Sequence, residues 1–362
     1  MSRGRMLVAM SGGVDSSVVA ALMVGEGWDV VGVTLQLRSC DDRMASRSCC
    51  SADGISQARA VAGSLGIPHY VLDCRETFLE RVMRPAWAEY EQGRTPSPCL
   101  HCNREMKFGY LGEYADRLGA ERIATGHYAR VEREGDQVRL LRGVDRAKDQ
   151  SYFLSQLSLA QVRRLELPLG AMTKPEVRAL ARSMGLVSAE RHESQDICLT
   201  VEGLGFPESL RQRFEEPSRA GSFVTPDGKA LGPHEGFHRY TLGQRRGLGL
   251  ALGERAHVVG LRPEDAAVIV STDEHDLLAS GLRAVGVQWI AEPAEQVYAQ
   301  IRSRHAGAPA RLELHNTHEV IAHFDTPQSA VTPGQAVAFY LGEQLLGGGW
   351  IDAALKEPLP PQ

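Results

Sequence analysis

Three groups of residues have types and spacings suited to chemistry. Ser11-Gly12-Gly13-Val14-Asp15-Ser16-Ser17 lies between an apolar run ending at Met10 and a stretch carrying Val18, Val19, Leu22 and Met23 at helical spacing. Paired glycines let a backbone approach an anion closely, and the hydroxyls and free N–H groups at a helix N-terminus then point at it. The string is a phosphate cradle, but not the Walker A pattern, because no Gly-Lys-Ser/Thr follows. Cys99-Leu100-His101-Cys102 is a Cys-x-x-Cys, which alone could serve redox chemistry, zinc or an iron–sulfur centre. Cys198, in Ser194-Gln195-Asp196-Ile197-Cys198, is an isolated thiol in a polar stretch that does not read as core.

The elements that would position these groups follow from hydrophobic periodicity. Met6–Met10, Val30–Leu35, His69–Leu72 and Arg122–Thr125 read as buried strands, and Ile55, Ala58, Ala62 and Leu65 fall on one helical face. Short apolar runs alternating with helical stretches predict a parallel sheet covered by helices. Thr173-Lys174-Pro175-Glu176 is a capping box with Pro in the first turn; Val177, Leu180, Ala181 and Met184 follow at helical spacing and Gly185 is a stop. Beyond about residue 210 helical periodicity fades. Pro226-Asp227-Gly228 and Pro333-Gly334 punctuate short β-rich runs such as His257–Gly260 and Ala336–Tyr340.

The expected organisation is a catalytic α/β domain over 1–210, a small connecting domain over 211–275, a β-barrel over 276–355 and a Pro-rich tail over 356–362. No apolar run approaches the ~20 residues of a membrane span. Met1-Ser2-Arg3-Gly4-Arg5 leads straight into a strand without a signal-peptide core, so the expected location is the cytoplasm, with no membrane partner. All seven cysteines (40, 49, 50, 74, 99, 102, 198) fall in the first 198 residues. An odd number in that compartment suits reactive or metal-binding thiols better than a disulfide framework. With 40 Lys+Arg against 45 Asp+Glu, the net charge of −5 gives no overall footprint for nucleic acid, so any polyanion must be held by local basic patches.

The loop resembles the SGGxDSS loop of the ATP pyrophosphatase (PP-loop) enzymes, which cleave ATP to AMP and pyrophosphate to activate an oxygen as an adenylate. The loop fixes the activation step and leaves the nucleophile open. Taken with "PCxxCNxxxKF" (98–108), "TGHYAR" (125–130), "KDQSYFLS" (148–155), "ESQDICL" (193–199), "HRYTLGQRRGLG" (238–249) and "AVTPGQAVAFY" (330–340), the chain closely resembles the tRNA-specific 2-thiouridylases. These install sulfur at C2 of the wobble uridine, position 34, in the anticodon loop of certain tRNAs. The resemblance implies a HUP-like, doubly wound PP-loop domain followed by the connecting domain and barrel.

It also implies site residues. ATP, with Mg2+, would be held by Ala9, Met10, Ser11, Gly12, Gly13, Val14, Asp15, Ser16, Leu35 and Gly126. Cys102 would be the nucleophile, and Cys198 would carry a persulfide loaded by a sulfur-relay protein or cysteine desulfurase. Ser97, Pro98 and Cys99 would surround the target base. His127, Lys148, Asp149, Gln150, Arg304, His305 and Gln335 would contact the tRNA. Cys99 departs from the common family pattern, which has Asp there. Cys99, Cys102 and Cys198 could therefore instead hold a [4Fe–4S] cluster that delivers sulfide. Two other readings stay open: a PP-loop ligase or amidotransferase acting on a small molecule, which leaves Cys102 and Cys198 unexplained, and a non-enzymatic RNA- or metal-binding module, which leaves the loop idle.

Overall fold

The computed structural model describes residues 3–38, 52–191 and 204–356. Its first part is built on a five-stranded parallel sheet of β1 (Arg5–Ala9), β2 (Asp29–Gln36), β3 (His69–Asp73), β4 (Arg122–Ala124) and a short strand, Leu165–Glu166, in the order β3-β2-β1-β4 and then the short strand. Alternation along β1 fills both faces of the sheet: Met6 and Val8 pack with Val18, Val19, Ala58 and Val177, whereas Leu7 packs with Phe78, Met106 and Leu111. One face is covered by α1 (Val14–Gly25), α2 (Ala52–Leu65) and helix Lys174–Ser183. The other is covered by the helical segments between Arg75 and Arg117. The capping box at Thr173 forms as expected: Glu176 accepts from the Thr173 N–H at 2.7 Å, and Gly185 ends the helix at φ +64°. The expected parallel sheet with helices on both faces is what the chain adopts.

A four-stranded sheet follows, with strands Gly221–Val224, Ala230–His234, His257–Arg262 and Ala267–Ser271 around Phe223, Phe237, Tyr240 and Val258. The C-terminal part is a closed six-stranded barrel of strands Leu278–Trp289, Gln296–Gln300, Ala308–Asn316, Glu319–Ser329, Ala336–Leu341 and Gln344–Leu355. Pairing between its first and last strands closes it, which leaves no free edge between them. One element departs from the expected organisation. The hairpin Ala129–Glu134 and Gln137–Arg142 follows β4 in sequence yet extends the barrel sheet, pairing Leu140 and Leu141 with Leu345 and Gln344. Among the described residues no helix is long and apolar enough to cross a membrane.

Candidate functional site

The sheet order reverses between β1 and β4, so the loops after these two strands diverge and leave a crevice at their carboxyl ends, where open α/β sheets collect ligands. The loop after β1 leads into α1 through Gly13, its N-cap. The Ser16 hydroxyl accepts from the Ser11 N–H (3.1 Å) and donates to the Gly13 carbonyl (3.2 Å), and Ser17 donates to the same carbonyl (2.9 Å). Ser16 and Ser17 are thus spent on shaping the turn, while Ser11, Gly13, Val14 and Asp15 line the adjoining cleft. Gly12 sits at φ +75°, and a Cβ there would lie 2.2 Å from the Gly54 carbonyl oxygen, so the position admits no side chain.

Two cavities meet at this loop and share Ser11, Asp15 and Gln150. The inner one, about 230 Å³, is lined by Ala9, Met10, Leu35, Gly126 and His127, with Cys102 and Lys107 from the opposite wall. The outer cleft, about 930 Å³, brings Ser97, Pro98 and Cys99 together with Lys148, Asp149, Gln150, Arg304 and Gln335. Residues spread over more than 300 positions of sequence therefore converge on one opening. Cys99 and Cys102 sit three apart where helix Pro98–His101 runs into a π-helix, Cys102–Tyr110; such wide turns recur at functional sites. Cys198 lies outside the described residues, as do Cys40, Cys49 and Cys50. Cys74 is buried, and burial pushes its thiol up to about 11, which keeps it out of thiolate chemistry at neutral pH.

Several predicted contacts have their side chains engaged inside the protein. His127 is buried, its Nδ1 is 2.7 Å from the Thr125 hydroxyl, and burial, with Lys107 nearby, holds its pKa well below the usual histidine value. The Asp149 carboxylate accepts from the Gly143 and Ser151 amides, the Ser151 hydroxyl and Arg142. His305 pairs with Gln328 (3.1 Å) and does not line the cleft, whereas Arg304 does.

Sequence reasoning missed two cations. Lys174, read only as the first residue of a capped helix, places its Nζ 2.7 and 2.8 Å from the Asp15 carboxylate oxygens, and Tyr128 donates to the same carboxylate at 2.8 Å. Arg191 donates to the Gly12 carbonyl (3.1 Å) and to Asp53 (2.7 Å) and lines the outer cleft. Both put positive charge at the mouth of the loop, where a helix N-terminus already favours an anion. The capping-box pattern hinted at Lys174 only in placing it on a helix end.

Residues 4–202, 210–272 and 279–351 match, in turn, families described as a tRNA methyl transferase HUP domain, a tRNA methyl transferase PRC-barrel domain and an aminomethyltransferase beta-barrel domain. The relatives decide between names. A protein of Geobacter metallireducens is 46% identical over 98% of this chain and 99% of its own length, one of Solibacter usitatus 47% over 95% and 98%, and one of Carboxydothermus hydrogenoformans 45% over 98% and 99%. Each is named tRNA-specific 2-thiouridylase MnmA. The chain belongs to the tRNA-specific 2-thiouridylase family. The HUP-type sheet, the connecting sheet and the closed barrel are the architecture that the resemblance implied for this 2-thiouridylase.

Proposed function

We propose that the protein thiolates C2 of uridine 34 in tRNA, using ATP to convert the C2 oxygen into a leaving group. The observation that carries this reading is the convergence on one opening of a phosphate loop, two cysteines of a Cys-x-x-Cys and residues from the barrel. The inner cavity suits the adenosine, with Ala9, Met10, Leu35 and Gly126 around it. The loop amides, with Lys174 and Arg191 of the outer cleft, would face the phosphates. Asp15 supplies a hard oxygen donor where Mg2+ would sit, and the metal would neutralise charge on the phosphates as pyrophosphate leaves. The outer cleft receives an everted base, with Ser97, Pro98 and Cys99 as its wall and Lys148 and Arg304 as phosphate contacts.

Sulfur transfer needs two thiols. The terminal sulfur of a Cys198 persulfide attacks the adenylated C2 and AMP departs. The Cys102 thiolate then attacks the Cys198 Sγ, breaking its bond to the transferred sulfur, which stays on C2 as 2-thiouridine. A Cys102–Cys198 disulfide remains, and a cellular thiol reductant supplies the two electrons that reopen it. A sulfur-relay protein or cysteine desulfurase reloads Cys198. The iron–sulfur alternative would take Cys99 and Cys102 as two of its thiolates and Cys198, outside the described residues, as a third.

Incubating the protein with ATP, unmodified tRNA and a sulfur donor should give 2-thiouridine by nucleoside mass spectrometry, with AMP and pyrophosphate in equal amount. AMP formation on a small metabolite without tRNA would replace this reading with a ligase. A methylated nucleoside and no sulfur would favour the transferase wording of the matched domain families.

A further inference from the structure

Gln335 is implied as a tRNA contact, but its side-chain amide is committed elsewhere. Its Nε2 donates to the backbone carbonyls of Thr95 and Pro96, each at 3.0 Å. These carbonyls belong to the short extended segment that delivers Ser97, Pro98 and the two cysteines to the cleft.

The same segment is tied to the barrel at several further points. The Thr95 N–H donates to the Pro333 carbonyl at 2.9 Å. Gly334, at φ +88°, approaches so closely that a Cβ there would lie 2.8 Å from the Thr95 carbonyl oxygen. Arg94 pairs with Asp352 of the last barrel strand at 3.1 Å. The Tyr152 hydroxyl meets the Ser97 side chain and donates to the Ala336 carbonyl at 3.0 Å. His101, between the two cysteines, stacks on Trp350 with ring centroids 4.3 Å apart and planes 9° apart.

We infer that Gln335 is a positioning residue: through the Thr95 and Pro96 carbonyls it sets the placement of Cys99 and Cys102 toward the two cavities. The barrel thereby shapes the reactive segment before any RNA arrives. An extended run such as Thr95–Ser97 has no internal hydrogen-bond ladder, so its carbonyls must be fixed from outside, and a primary amide offering two N–H groups fits two successive carbonyls. This inference rests on the thiolation reading only for the identity of the reaction, since the placement of the thiols is measurable without it.

Gln335→Glu is the informative variant. It keeps the shape and removes the donors, setting carboxylate oxygen against two carbonyls. In RNA-free protein, iodoacetamide labelling of Cys99 or Cys102, followed by peptide mass spectrometry, should change at least about threefold relative to wild type. In the thiolation assay kcat should fall about tenfold while KM for tRNA stays within about twofold, as expected when the reacting groups are misplaced and the affinity for RNA is intact. Unchanged labelling together with a rise in KM alone would overturn the inference and make Gln335 an RNA contact. If the Glu variant does not fold, Gln335→Met removes the donors without adding charge, and the same two readouts decide. Labelling is read without tRNA or sulfur donor, so it settles the positioning role even where no thiouridine forms.

Discussion

The Lys174 ammonium lies 2.7 and 2.8 Å from the two oxygens of the Asp15 carboxylate, across 159 positions of sequence and with Lys174 almost fully buried. The pair places a cation beside the loop that would cradle the phosphates. In this arrangement Lys174 holds the carboxylate, and a Mg–nucleotide complex offers each partner a new counter-charge.

Lys174→Met should therefore reduce AMP formation at least about 100-fold, the scale of losing one charge-stabilising group in a preorganised site. Asp15→Ala should abolish AMP release with the fold intact. Both variants should still bind tRNA in a filter or shift assay. Near-normal AMP release by either one would remove the pair from the phosphate site.

The cysteines separate two chemistries. On the persulfide route Cys102→Ser and Cys198→Ser each lose thiolation, whereas Cys99→Ser keeps much of it. On the cluster route Cys99→Ser loses iron and activity together, because a hard serine oxygen replaces thiolate poorly. Anaerobic purification, an iron count and nucleoside analysis of Cys99→Ser beside Cys99→Asp distinguish them. An inactive Ser variant beside an active, iron-loaded Asp variant would sink the persulfide route.

Arg304 is the barrel cation that reaches the outer cleft. Arg304→Ala should weaken tRNA binding and lower the slope of log K against log salt by about one, with ATP affinity unchanged. An unaltered slope would take this residue out of the RNA interface.

Burial, helped by Arg104, lowers the His101 pKa to about 4 from its ordinary 6.5. Between those values the unfolded chain binds a proton that the folded one does not, so stability rises with pH from about 4 to 6.5. The difference corresponds to up to about 3 kcal/mol at neutral pH, lost progressively on acidification through that window. His101→Phe keeps a ring on Trp350 and removes the proton site. Urea unfolding at pH 7 and pH 4.5 should show a smaller loss for the variant, and equal losses would contradict the assignment.

Local signals were enough for the loop, the four longer parallel strands and the capped helix, because each is specified within a dozen residues by periodicity, glycine and capping chemistry. Lys174 was invisible as a site residue. Nothing near it in sequence points to Asp15, and only the packing of its helix against α1 brings the two together. The hairpin 129–142 is hidden for a related reason. Which sheet these two strands join depends on Leu345 and Gln344, some two hundred positions away. Gln335 stands in a recognisable motif, but its partners are main-chain carbonyls, which carry no side-chain signature.

That hairpin makes the boundary between catalytic part and barrel a seam in space rather than a point in the chain. Cutting after residue 202 would preserve every strand of the parallel sheet. It would also strip the barrel partner from strand Gln137–Arg142 and uncover Leu140, now 1% exposed, at a strand edge that the barrel had covered. Such an edge recruits other chains. The N-terminal piece alone should therefore self-associate, and inheritance of this fold by shuffling its first 200 residues onto a different partner would require a replacement for the last barrel strand as well.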